Sequence, residues 1–462
     1  MYEKKQINWS SVGKKAAIVF GAFSIIIVAA IIFVLANEIT VETRDERAIR
    51  IEKERREFSE SLTLEQLVYD FDYFMGVLEE NFPFFGVAYR RFGVCIHSLG
   101  DEFRANLLEG VIPQTAQDFH RALDEDFTRR IYRMAHLHII TRTGYVSMLD
   151  AALRYYEDNP INAFTLELLT ENPNIAHFYG DADAIDKVEY TAWRRGSPDN
   201  ITTEIIEHGR IAYMGIQRML SRIQPEDTLR VRALYNQIDD FEHLIIDIRG
   251  NGGGWIWYPH EIVTMPLLER FGIRYQHLVF YKGGQHNMRL IDHLGLNRHR
   301  QMSFRMEDHW VIGRHNVTLF RDLELMGAEA LMDDLTGFDY YNAYTFVLRR
   351  EWAQFESNFS GRLWILTDGD TASAASQFAA IHRRHRLATL VGDTTMGVHG
   401  SPTMEGMHFS LPNTGILIRY DMGLAVCRAT GLIYEEGIPP DYFNLPGMDA
   451  LETVLAIING GA

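Results

Sequence analysis

Cysteine is almost missing from this 462-residue chain, which carries only Cys95 and Cys427. Two thiols build neither a disulfide framework nor a thiolate zinc site. They allow one bridge at most, and two separate thiols are the simpler expectation. Positive charge is also short: 45 Lys and Arg stand against 62 Asp and Glu, a net charge of −17 with histidine neutral. Phosphate backbones are held by clustered Lys and Arg, so nucleic acid is not an expected partner. Internal repeats and low-complexity tracts are lacking as well. What is present in quantity is apolar surface, 47% hydrophobic and 12% aromatic residues, which excludes global disorder. At about 150 residues per domain the length implies two or three domains.

One stretch departs from the rest. Ala16 to Ala36 (AAIVFGAFSIIIVAAIIFVLA) contains no charge. As a helix rising 1.5 Å per residue it spans about 30 Å, the thickness of a bilayer core. A cleaved signal peptide has a shorter apolar stretch with a small-residue exit, and Val34-Leu35-Ala36-Asn37 is a poor one. The expectation is an uncleaved single transmembrane helix over 16–36. Lys4, Lys5, Lys14 and Lys15 precede it, whereas Glu38 and Glu42 follow. That bias leaves residues 1–15 as a cytoplasmic tail and puts the remainder outside the cell membrane. Residues 37–62 read as a charged stalk, with Arg44 to Arg56 (RDERAIRIEKERR) either a solvated helix or a flexible tether.

Residues 63–137 read as a helical amino-terminal domain. Leu64, Leu67, Val68, Phe71, Phe74 and Met75 recur at helical spacing, until Asn81-Phe82-Pro83-Phe84-Phe85-Gly86 breaks the helix. A second helical stretch, Pro113 to Met134, carries Phe119, Leu123 and Phe127 as core. Short strands and loops are expected from His138 to about Asn200. Beyond them strands and helices alternate through residues 138–462: a strand over Arg210–Ile216, a helix over Asp227–Asp240 with Leu229, Val231, Leu234 and Ile238 inward, and a strand over His243–Ile248. A long, less regular insertion occupies about 255–360. The alternation resumes with a strand at Leu363–Leu366, a helix at Ala372–Arg384 and a strand at Ala388–Val391. The expected class is α/β with an amino-terminal helical layer.

Chemistry concentrates in two loops. Asp247-Ile248-Arg249-Gly250-Asn251-Gly252-Gly253-Gly254 follows a buried strand, and its glycines let backbone N–H groups approach a ligand. It lacks the Lys-Ser/Thr of a P-loop and the spacing of a dinucleotide fingerprint, so an oxyanion hole is the better reading. Thr367-Asp368-Gly369-Asp370-Thr371-Ala372-Ser373-Ala374-Ala375-Ser376 joins a strand to a helix. Asp370 or Thr371 is a candidate cap, and Ser373 falls in the first turn, where free N–H groups stabilise negative charge. A serine nucleophile needs a base. His136 and His138, in MAHLHII, share a face if that segment is extended. No third ligand completes a metal set, so no metal is expected. His382 and His385, among Arg383, Arg384 and Arg386, read as a solvated face. Glu435 and Glu436 precede Gly437-Ile438-Pro439-Pro440-Asp441, a turn able to bring a carboxylate to a histidine.

Together these segments resemble the carboxyl-terminal-processing, or tail-specific, serine peptidase family, including the tricorn-protease core. DIRGNGGG is similar to its strand and glycine loop, TDGDTASAASQFAAI to its nucleophile segment, LATLVGDTTMG to the following strand and loop, and GIPPD to its closing turn. The likeness runs from about Arg210 to Asp441. DFDYFMGVLEENFPFF is similar to amino-terminal regions of the branch without an obvious PDZ domain. The resemblance implies a ClpP/crotonase-like peptidase core and no cofactor. It implies Ser373 as nucleophile, with the backbone of Gly253 and the N–H of Ala374 as the oxyanion hole.

Members with a Ser-Lys dyad carry lysine in the loop that here reads Met396-Gly397-Val398-His399-Gly400, with Val398 in the lysine's place. The tricorn-like branch uses a histidine and a glutamate instead. His138 best matches that histidine and Glu435 that glutamate, with His136 and His399 as alternative bases and Glu436 adjacent. The implied activity is a membrane-anchored serine peptidase hydrolysing bonds of peptide or protein substrates by a Ser-His-Glu mechanism. The alternative is an inactive peptidase-like ectodomain that binds peptides or other ligands. Oligomeric state is not legible.

Overall fold

The computed structural model describes residues 44–132, 134–180, 200–220, 223–269, 272–294, 310–311, 315–316, 338–397, 406–427 and 430–460. The chain divides into two compact units, residues 1–53 and 54–462. The described residues of the first are the opening turns of a charged helix, α1 (Arg44–Ser61). The expected span over 16–36 lies outside the described residues. Among the described residues no helix is long and apolar enough to cross a membrane. The fold class is therefore corrected to a mixed α/β fold, in which the described residues give no support for a single transmembrane helix.

The second unit begins with helices. α2 (Leu64–Asn81) opens on a capping box in which Thr63 and Gln66 satisfy each other's backbone N–H groups, and it buries Leu67, Phe71, Phe74, Val77 and Leu78. α3 (Phe85–Phe92), α4 (Ile96–Leu108) and α5 (Ala116–Ala122) follow. The stretch after α5 is not one helix: it tightens and loosens through short π and 3-10 turns up to His136, with Phe127 buried. β1 (His138–Ile139) comes next. Where strands and loops were expected the chain instead forms three helices, α6 (Arg142–Tyr155), α7 (Pro160–Glu171) and α8 (Asn174–Tyr179). Their turns are set by Thr141 and Asn159 side chains that cap α6 and α7.

The central sheet has the order β14-β10-β9-β4-β3-β2, built from β2 (Ile201–Glu207), β3 (Ile211–Ile216), β4 (His243–Asp247), β9 (Arg362–Thr367), β10 (Ala388–Gly392) and β14 (Tyr442–Phe443). Every pairing is parallel except β2 with β3. Such strands are buried on both faces and read as unbroken apolar runs. One face, with Leu244, Ile246, Leu363 and Ile365, packs against α9 (Pro225–Gln237) and a later helix over Ser373–Arg384. The other, with Ile245, Trp364 and Leu366, packs on the carboxyl-terminal helix Ala450–Ile458. In α9, Val231 and Leu234 are buried as expected, whereas Leu229 is 64% exposed because it faces away from the sheet.

The insertion is more regular than its composition suggests. β5 (Ile273–Tyr281) and β8 (Tyr340–Leu348) pair antiparallel along their whole length. They join β13 (Gly423–Cys427), β6 (Trp310–Val311) and β7 (His315–Asn316), with α10 (Gln285–His293) between β5 and β6. β1, β12 (Leu417–Tyr420) and β11 (Met407–Ser410) make a third, antiparallel sheet. The amino-terminal helices share one hydrophobic core with β11, β12 and β13. Buried Asp70 on α2 fixes that join: its carboxylate accepts four hydrogen bonds of 2.7–2.9 Å from the N–H groups and side chains of Asn413 and Thr414, in the turn between β11 and β12.

Candidate active site

β4 and β9 are parallel neighbours, with Asp247 opposite Leu366. The glycine loop and the Ser373 loop therefore leave the sheet at the same end, side by side. Three hydrogen bonds stitch them together: Gly250 N–H to the Asp368 carboxylate at 2.9 Å, Thr371 Oγ1 to Ile248 O at 3.1 Å and Ala372 N–H to Asn251 O at 3.0 Å. Thr371 is thereby occupied and does not cap the following helix, α11 (Ser373–Arg384), and neither does Asp370. The N-cap residue is Ala372, without a side-chain cap. The start of α11 is left open at the serine.

Ser373 is half-buried and holds φ +51°, a left-handed conformation that costs an L-residue about 1–2 kcal/mol. Its N–H donates to Gly397 O at 2.8 Å. Among the described residues no hydrogen bond takes up the Ala374 N–H. Gly253 lies directly under this corner: a Cβ there would come 2.7 Å from Ser373 Cβ and 2.9 Å from Ala374 N. Its own N–H, however, donates to Asn251 Oδ1 at 2.9 Å. Of the two donors expected for an oxyanion hole, the Gly253 N–H is thus taken up within its own loop. The Ala374 N–H is the open one of the pair, and the missing Cβ of Gly253 leaves room beside it.

The two expected histidines are not on one extended face. Ala135 and His136 both hold φ +51° in a tight turn, which breaks the alternation, and His138 opens β1. His136 Nδ1 lies 2.6 Å from Oδ2 of Asp421, a carboxylate 2% exposed. A carboxylate only accepts, so Nδ1 carries the proton and Nε2 is the basic nitrogen. His138 Nδ1 donates to the His136 carbonyl at 2.7 Å. His138 is aligned across the sheet with Arg419 and His408, and burial, with Arg419 and His138 beside it, pushes the His408 imidazole down to about 3. His399 and Val398 lie outside the described residues.

Glu435 is fully buried, and its Oε1 accepts the Ala135 N–H at 2.6 Å. It therefore grips the backbone one residue before His136, while the carboxylate bonded to that imidazole is Asp421. Asp421 adds to the same hold, since its own N–H donates to Ala135 O at 2.7 Å. Glu436 faces outward and pairs with Arg90 at 2.7 Å.

The His136 turn and the Ser373 corner are linked through Glu435 and Gly397. Gly397, with φ +86°, is pressed against Glu435, whose carbonyl carbon a Cβ on it would meet at 2.9 Å. The same Gly397 accepts from Ser373 N–H. Sequence reasoning missed Asp421; the one signal was an acid between the apolar strand runs LIRY and GLAVC. It also misread His382, which is 1% exposed and not solvated. Its Nδ1 donates to Phe378 O at 2.8 Å and its Nε2 meets Thr264 Oγ1, which also contacts His260.

A family model, peptidase family S41, matches residues 210–443. No curated protein matches the chain. Among solved structures, mature CPAF complexed with lactacystin is 13% identical, with 87% of this chain and 98% of that one covered and a TM-score of 0.48. A lipoprotein from Streptococcus agalactiae is 11% identical over 86% of this chain and 97% of that one, with a TM-score of 0.39. The photosystem II D1 C-terminal processing protease is 14% identical over 58% and 54%, with a TM-score of 0.30. The family model takes in the glycine loop, the serine corner and the closing turn, just over half of the sequence. The chain belongs to peptidase family S41, the tail-specific protease family.

Proposed function

We propose that this chain is a serine peptidase that hydrolyses peptide bonds of peptide or protein substrates through an acyl-enzyme. Ser373 is the nucleophile and His136, in place of His138, is the base. The observation that carries this reading is the 2.6 Å pair of His136 and buried Asp421 in a segment tied through Glu435 and Gly397 to the Ser373 corner. Nδ1–H donation to Asp421 leaves Nε2 to take the Ser373 proton while Oγ bonds to the substrate carbonyl carbon. The C–N bond then breaks as Nε2 returns that proton to the leaving amine. Water repeats the sequence on the ester and frees Ser373.

Negative charge on the carbonyl oxygen faces the uncapped start of α11, where the Ala374 N–H and the helix dipole stabilise it. The φ +51° of Ser373 fits a nucleophile held out of the helical path by its surroundings. The test is hydrolysis of denatured casein by the purified full chain. Cleavage that disappears in Ser373→Ala supports the reading. Equal cleavage by both proteins overturns Ser373 as the nucleophile, and none by wild type supports the ligand-binding alternative.

A further inference from the structure

Arg91 ends α3, a helix of the amino-terminal layer, yet its guanidinium is spent on the catalytic core. Nη1 donates to Glu435 O at 2.7 Å and also to Met396 O, and Nη2 reaches Thr395 O at 3.3 Å. Three carbonyl oxygens from two loops thus converge on one planar fork. Brought together without a donor, such oxygens repel each other, and burying them unmet is destabilising. A guanidinium satisfies several at fixed angles, which an ammonium does not do. Desolvation pulls the Arg91 guanidinium downward and the carboxylates of Glu435 and Glu436 oppose that, so its charge is held between them.

What the fork holds is specific. The 395–397 loop is the support of the nucleophile: Met396 N–H donates to Thr371 O at 2.8 Å, Thr395 Oγ1 lies 2.6 Å from Ser376 Oγ, and Gly397 O accepts the Ser373 N–H. Glu435, the other partner, holds Ala135 beside His136. We infer that Arg91 is a positioning residue that locks the serine-bearing and histidine-bearing segments into one register, so that the amino-terminal helical layer is a working part of the active site. The inference rests on the reading of Ser373 as the nucleophile. Arg90, next to it, pairs with Glu436 at the surface and is the built-in control.

The experiment measures the rate of Ser373 labelling by a fluorophosphonate in the full chain, together with thermal midpoints, for wild type, Arg91→Ala, Arg91→Lys and Arg90→Met. Small displacements of reacting groups cost up to about 100-fold. Arg91→Ala should label about 100-fold more slowly and regain rate when guanidinium ion is added. Arg91→Lys, which keeps charge without the fork, should remain about 10-fold slow with a near-native midpoint. Arg90→Met should label like wild type.

Wild-type rates in folded Arg91→Lys or Arg91→Ala overturn the inference alone, as does slow labelling that guanidinium does not restore in folded Arg91→Ala. If Arg91→Ala does not fold, Arg91→Lys decides. Wild type that never labels at Ser373 overturns the peptidase reading, and the inference with it.

Discussion

His136 and Asp421 stand 2.6 Å apart, Nδ1 to Oδ2, although 285 residues separate them in the chain. Asp421 is buried at the end of β12, and the same residue's N–H holds the Ala135 carbonyl. One acid thus fixes both the tautomer of the imidazole and the turn that carries it. Asp421→Asn keeps the shape and removes the charge that stabilises an imidazolium. kcat should fall by about 100-fold or more with KM little changed. Steady-state kinetics on a fluorogenic peptide check it, and a variant within about 3-fold of wild type contradicts the assignment.

Glu435 has a different task, and two substitutions separate it. Glu435→Gln retains an oxygen acceptor for the Ala135 N–H and should keep activity within about 10-fold of wild type. Glu435→Ala leaves that N–H buried and unmet, at about 1–3 kcal/mol, and should lower both activity and thermal midpoint. Equal, severe losses in both variants would mean that the carboxylate charge itself is required.

Gly253→Ala should be inactive. The new Cβ would lie 2.7 Å from both Ala372 O and Ser373 Cβ, at a backbone φ of +93°. Gly252→Ala meets nothing within 4 Å and is the matched control. Fluorophosphonate labelling of the two variants should differ by at least about 100-fold.

The buried pair His260 and His382 gives a stability–pH prediction. Burial pushes the His382 imidazole down to about 4 and His260 well below its usual 6.5. A folded-state value below the unfolded one means that the unfolded chain takes up protons first. Their contribution is complete above pH 6.5 and is lost as pH falls from 6.5 towards 4, through about 3 kcal/mol for His382. Urea unfolding between these pH values should show the loss in wild type and a shallower one in His382→Leu. Identical slopes would contradict the burial account.

Much of this was legible beforehand. The parallel strands read as apolar runs because both sheet faces are covered, and the glycine loop and Ser373 corner read as loops because each ends such a run. The insertion was harder to read: β5 and β8 pair across more than fifty intervening residues, and a local pattern does not carry a partner that distant. Leu229 and His382 were assigned to the wrong side because burial depends on what packs from elsewhere. His138 was preferred over His136 on the family resemblance, whereas the extended strand that would put both on one face is removed by two consecutive residues at φ +51°. Asp421 and Arg91 act through hydrogen bonds to residues more than 280 positions away in sequence.

The central claim, that Ser373 is activated by His136, is tested most directly by fluorophosphonate labelling with peptide mapping of the full chain. The account predicts one label per chain, on Ser373, absent in Ser373→Ala, slowed by about 1000-fold in His136→Ala and by less than about 10-fold in His138→Ala. A label on another residue, or full-speed labelling in His136→Ala, would contradict it.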